Sequence, residues 1–358
     1  MNKISSRQLF FLLACIMPVG KLVLMPNRIA ELSKNDLLFP AAANYLLQAG
    51  VICLIMLLAR KNCSLYDLLV YNFGKIAAKV ITFLFALFLF YAALLPLLEQ
   101  KLFVQTIFYD TLPSFIAFSP YFLFAAYLCA KPLTSMGRVW DLLAAVAIVG
   151  FVGMMIFSMS AADYGALAPV GAAGGKGFLK GTGYTMNWFF ESAIMLALLG
   201  KFEYKKGMVW KAPLFYLVGA AAYLLFLATF YGVYADVAQR QFFAFAKISR
   251  YFSGITVLGR IDYLFIFSLA LVMAFFCTLP IHAGIDCLSH VFGYQKMKVS
   301  AYSVIVNLLF LALAVFLEYQ FGKISGFISH TAFWIFPVFT VAFPLLALLL
   351  RRPPREKI

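Results

Sequence analysis

Hydrophobic residues along this chain come in long runs separated by short polar stretches, and the length of each run carries the reading. A helix needs about 20 apolar residues to cross hydrocarbon. By that measure the runs Leu9 to Ala30, Leu38 to Ala59, Ala77 to Phe108, Phe115 to Ala130 and Leu142 to Met159 predict five spans. A second five fall at Phe178 to Leu199, Leu214 to Tyr234, Ile261 to Cys287, Ser300 to Leu317 and Phe327 to Leu350. The fourth run is short and holds Pro120, while the third is long enough to cross at a tilt or project beyond the bilayer. The pattern predicts an all-α polytopic membrane protein with ten transmembrane helices, forming a single transmembrane domain over residues 1–358.

Two runs are interrupted where an unbroken helix would not be. The first carries Pro18-Val19-Gly20-Lys21 in its middle and Pro26 further on. Pro18 lacks a donor and clashes with the preceding turn, Gly20 weakens the helix, and Lys21 brings a charge to the depth where charge is most expensive. Irregular backbone at membrane depth survives only where protein or a water-filled cavity surrounds it. The sixth run echoes the first: Gly181-Thr182-Gly183 interrupts it, Asn187 and Trp188 follow, and Glu191 sits where the run is deepest. Matching interruptions five spans apart predict two halves of opposite orientation, over about 7–160 and 176–350, with a binding site where the breaks face each other.

Composition narrows the class. With 64% hydrophobic and 12% charged residues, and a mean hydropathy of +0.93, the chain is not a soluble globule, which carries about a quarter charged residues. The net charge of +15 reports topology rather than nucleic acid, because the basic residues are scattered among the spans with no aromatic-interleaved patch. Placing both termini in the cytoplasm puts 18 of the 29 basic residues in inner loops, the better fit to the positive-inside rule. The six cysteines form no C-x-x-C pair and no dense framework, so neither disulfides nor a cysteine metal site is expected.

Candidate chemistry sits in the breaks. Gly20 frees backbone carbonyls, and the half-helix starting near Lys21 points its positive end into the gap, which suits a carboxylate. The alternatives are a proline kink relieved by neighbouring helices and, for Lys21, snorkelling to an interface. Ligand contacts are expected from Gly20, Lys21, Thr185, Asn187 and Glu191, with Lys21 as the partner of Glu191. Glu99 is a second intramembrane acid, pairing with Lys101 or facing an outer vestibule. Glu99, Arg260 and Asp262 are candidate coupling or structural charges. His282, Asp286 and His290 share one helix face, but one helix cannot wrap a metal, and a solvated helix end is the simpler reading. Gly174-Gly175-Lys176 is followed by Gly177 where a P-loop needs Ser or Thr, so nucleotide binding is set aside. No Ser/His/Asp or Cys/His arrangement with a shared pocket appears, so neither an enzyme nor a cofactor is expected.

Several stretches together carry a family resemblance: Ile4-Ser5-Ser6-Arg7-Gln8-Leu9-Phe10, Gly20, Pro26, Asn35-Asp36, Leu112-Pro113, Gly137-Arg138, Pro169, Glu191 and Arg260-Ile261-Asp262. The chain resembles the B subunit of spore germination nutrient receptors, of the amino acid/polyamine/organocation superfamily. The resemblance implies a ten-span LeuT-type fold with a 5+5 inverted repeat and broken helices 1 and 6. It also implies a small-molecule nutrient ligand such as an amino acid, receptor A and C subunits as partners, and residence in the inner spore membrane. A proton-coupled amino acid permease of the same fold is the alternative. The chain departs from the family in carrying Lys21 after the first-span glycine, where a small or hydroxyl residue is usual. That position suggests a built-in cation in the role a bound sodium ion plays in some relatives of this fold.

Overall fold

A computed structural model describes residues 3–60, 62–108, 113–250, 262–293, 296–317 and 320–351. Among them the chain is helical throughout, and its sole β feature is an isolated bridge between Ile4 and Phe202. The helices in chain order are α1 (Ser6–Val19), α2 (Met25–Ser33), α3 (Leu38–Ala59), α4 (Leu65–Phe108), α5 (Ser114–Cys129), α6 (Leu133–Ser158) and α7 (Gly174–Tyr184). They continue as α8 (Glu191–Ala197), α9 (Met208–Tyr234), α10 (Ala244–Ser249), α11 (Asp262–Phe292), α12 (Lys296–Phe316) and α13 (Phe321–Leu349).

Seven segments among the described residues are long and apolar enough to cross a bilayer unaided, and they fall on the expected second, third, fifth and seventh to tenth runs. The expected fourth run forms the shorter α5, and the first and sixth runs are each split, into α1/α2 and α7/α8. Hydropathy misplaces some ends. α6 begins at Leu133 rather than Leu142, because the polar start Thr134-Ser135 and Gly137-Arg138 continues the same helix and turns Trp140 fully inward. α4 bends at Gly74, whose φ of 79° is open to glycine at little cost, so its first turns are set off from the expected span.

The centre of the bundle is α11, which packs on α4 and α6, while α3 packs on α9; the split segments thread between these pairs. Many side chains on the outward faces, such as Leu142, Trp210 and Leu346, are exposed and apolar, as a lipid-facing surface requires. Buried polar and charged side chains gather around the two breaks, where Lys21, Asn44, Gln48, Glu99, Thr185, Asn187, Glu191 and Ser192 are all out of contact with solvent.

Candidate functional site

The first break starts where α1 runs out at Val19. Lys21 and Leu22 close tight turns onto the carbonyls of Pro18 and Val19, at 3.0 and 3.1 Å, and the helix resumes at Met25 with Pro26 in its opening turn. The freed carbonyls of Leu22 and Val23 accept from the backbone amides of Phe245 and Ala244, at 3.2 and 3.0 Å. The short helix α10 therefore caps the unwound stretch, and the void left beside it is about 10 Å³. Gly20 has ordinary right-handed helical angles, so backbone freedom is not why glycine stands there. A Cβ at that position would lie 2.2 Å from the ring of Phe276 on α11, so close packing requires it.

The second break lies at Thr185 to Phe190, just after the glycines the sequence pointed to. Gly181 and Gly183 sit inside α7, where a Cβ would meet Ser33 Oγ at 2.3 Å and the Phe333 ring at 2.2 Å; they are contact points, not the interruption. What holds the unwound segment is α3. Asn44 Nδ2 donates to the Thr182 carbonyl at 2.9 Å and to Thr185 Oγ1 at 3.2 Å, and Gln48 Nε2 donates to the Phe189 carbonyl at 3.3 Å. Gln48 Oε1 accepts from the Ser192 amide at 3.2 Å, so one side chain bridges both sides of the break. Thr185 turns its hydroxyl to the Gly181 carbonyl at 2.6 Å, which commits it to the local turn.

Between the breaks, the Lys21 ammonium donates to Glu191 Oε1, with both side chains out of contact with solvent. Lys21 also reaches the Met17 carbonyl at 3.4 Å and lies 4.7 Å from the Phe189 ring centroid and 5.4 Å from that of Tyr45. Two aromatic faces thus share the cation with one carboxylate. Tyr45 packs edge-on against Phe189 and tilts against Tyr216 and Tyr223 of α9, and Tyr45 and Tyr216 are electrostatic neighbours of Glu191. Glu191 Oε2 and both amide atoms of Asn187 are buried with no protein hydrogen-bond partner.

The remaining candidates separate. Glu99 is fully buried and accepts from the Trp188 indole at 2.9 Å, which ties it to the second break. Lys101, its expected neighbour, instead donates to the Ala314 carbonyl at 2.6 Å. Asp262 is buried at the start of α11, about 20 Å along the helix from Phe276, and so stands away from the ion pair. Arg260 lies outside the described residues. Sequence reasoning passed over Tyr45, Asn44 and Gln48. The available signal was the polar pair four residues apart in an otherwise apolar run, which puts both amides on one helix face.

A family model described as "Spore germination protein" matches residues 3–320. No curated protein matches the sequence. Among solved structures, a nucleobase-cation-symport-1 family transporter in a closed conformation with bromovinylhydantoin bound is similar to this chain with a TM-score of 0.63. It shares 12% identity, over 97% of this chain and 91% of that one. A manganese transporter of Eremococcus coleocola, solved as a variant, is similar at a TM-score of 0.58 and 15% identity, over 96% of this chain and 78% of that one. The same transporter in complex with an aromatic bis-isothiourea substituted compound gives 0.53, again with 15% identity, 96% of this chain and 78% of that one. At these identities the likeness is one of fold, the LeuT-type transporter fold.

Proposed function

Because the chain belongs to the spore germination protein family, we propose that it is the nutrient-binding membrane subunit of a germination receptor, holding an amino acid or similarly small solute between its two helix breaks. The observation behind this reading is the fully buried pair of Lys21 and Glu191, one residue from each broken segment. Taking both charges out of water is costly, and an apolar pair of similar volume would hold the helices together about as well. Stability alone therefore does not account for the pair. A zwitterionic ligand exchanges with it at no net change of buried charge, its carboxylate meeting Lys21 and its ammonium Glu191. Gly20, Thr185 and Asn187 complete the proposed site, Asn187 through amide atoms that have no protein partner.

On this reading Lys21 is a tethered cation in place of a bound sodium ion, and ligand binding needs no added ion. The two halves of about 7–160 and 176–350 form one transmembrane domain of ten crossings, both termini face the cytoplasm, and the chain works with receptor A and C subunits in the inner spore membrane. Equilibrium binding of L-amino acids to the purified protein in sodium and in choline buffers tests the central claim. Equal binding is expected in both; a strong sodium requirement, or normal binding by Lys21→Met, overturns it.

One observation favours a second reading, a proton-coupled amino acid permease. Glu99 is buried beside the second break, with one oxygen on the Trp188 indole and the other without a protein partner, so it is placed to exchange a proton with a passing solute. Concentrative uptake by this chain alone in liposomes would favour the permease, and binding without uptake the receptor.

A further inference from the structure

A cavity lies away from the ion pair, at the end of the bundle where the N-terminal segment crosses. It measures about 390 Å³, within the range of small-molecule sites, and opens between the turn joining α5 to α6, the far end of α8, α11 and the start of α12. Its apolar wall includes Leu133, Leu198, Ile285 and Val299. Its polar side carries an ion pair between Lys201 and Asp286, whose side chains are 15% and 29% exposed, while the third charged residue of the lining, Lys131, sets its ammonium over the Tyr127 ring, 4.6 Å from the centroid. The pair is held in place. The Ile4 amide donates to the Lys201 carbonyl at 3.1 Å, pinning that backbone, and Ser289 Oγ donates to the Asp286 carbonyl at 2.6 Å. His282 Nε2 lies 3.3 Å from the Lys131 carbonyl, and His290 Nε2 lies 3.9 Å from Asp286 Oδ2. The face of α11 bearing His282, Asp286 and His290 is thus not simply a solvated helix end; its first two residues line a cavity.

We propose that this cavity is a second binding site, for a zwitterionic amino acid with an apolar side chain. Charge decides the class. A simple anion drawn to Lys201 would sit against the Asp286 carboxylate, and a simple cation drawn to Asp286 would sit against Lys201. A zwitterion inserts between them, carboxylate to ammonium at one end and ammonium to carboxylate at the other, and replaces one ion pair by two. The apolar wall then takes the side chain. The site stands on α8 with the central pair: Glu191 opens that helix and Ala197, on the cavity wall, closes it, about 9 Å apart along the axis. A solute leaving the central site toward this end would meet it next.

Ser300 lines the cavity and is exposed, so Ser300→Cys in the full-length purified protein reports occupancy through its rate of alkylation, read by peptide mass spectrometry. The probes are L-leucine, isocaproate, which lacks its amine, and isoamylamine, which lacks its carboxylate. L-Leucine at ten times its dissociation constant is expected to slow alkylation about tenfold while the two half-molecules do not. Asp286→Asn should abolish the protection, and the exchanged pair Lys201→Asp with Asp286→Lys should restore it, which separates a lost site from a misfolded chain. Equal protection by isocaproate, no protection by L-leucine, or protection unchanged in Asp286→Asn overturns the proposal. Repeating the measurement in Glu191→Gln distinguishes the two sites: protection that persists there belongs to the cavity. Protection lost there while Asp286→Asn retains it assigns the signal to the central pair and leaves only that reading standing.

Discussion

Replacing Lys21 by methionine removes the cation and keeps most of the stem, so the packing against Phe189 and Tyr45 is largely retained while Glu191 is left alone. Glu191 is 1% exposed and its second oxygen has no protein partner. Breaking a buried pair from one side costs about 3–5 kcal/mol, because the surviving charge stays desolvated. The lost contact with the Phe189 ring adds about 1 kcal/mol. Glu191→Gln should cost a similar amount by stranding Lys21. The double change leaves two uncharged side chains of nearly native volume, and its destabilisation should be smaller than that of either single change. Thermal unfolding of all four proteins in one detergent gives the coupling, expected at about 3 kcal/mol or more in favour of the pair, because a double change milder than either single one requires a coupling larger than one single effect. Additive single effects, to within about 0.5 kcal/mol, would refute the claim that the two charges depend on each other.

Gly20→Ala should destabilise by about 1–3 kcal/mol, since its methyl meets the Phe276 ring, and Phe276→Leu should recover part of the loss in a thermal-unfolding comparison. Asn187→Leu should leave stability nearly unchanged, because the amide has no protein partner to lose, yet abolish amino acid binding; binding retained would remove Asn187 from the site. Trp188→Phe takes the donor from Glu99 and should cost about 1.5–3 kcal/mol, whereas no measurable change would mean that Glu99 is satisfied elsewhere. Cys63, in the loop between α3 and α4, should resist impermeant thiol reagents in sealed cells when it is the only cysteine, and its labelling from outside would reverse the proposed topology.

Much was decided by the sequence alone, because the bilayer makes local demands. Run length and the absence of charge specify spans without reference to neighbours, so helices such as α3, α9 and α13 fall on their runs with ends shifted by a few residues. Pro18, Gly20 and Lys21 mark the first break for the same reason: each is costly in a lipid-facing helix whatever surrounds it. Glu191 stands out equally, as an acid deep in an apolar run. What the sequence left open are relations between segments far apart in the chain. Gly20 and Gly183 look like helix breakers, and only the packing reveals that each makes room for a phenylalanine, Phe276 and Phe333. The second break could be placed only once Asn44 and Gln48 were seen to supply the hydrogen bonds that let Thr185 to Phe190 unwind. Glu99 had a basic neighbour two residues away in sequence, but its partner proved to be an indole 89 residues off, since helical geometry turns positions two apart to different faces. Burial, shared faces and cavities depend on which helices touch, and that is a property of the folded bundle rather than of any single run.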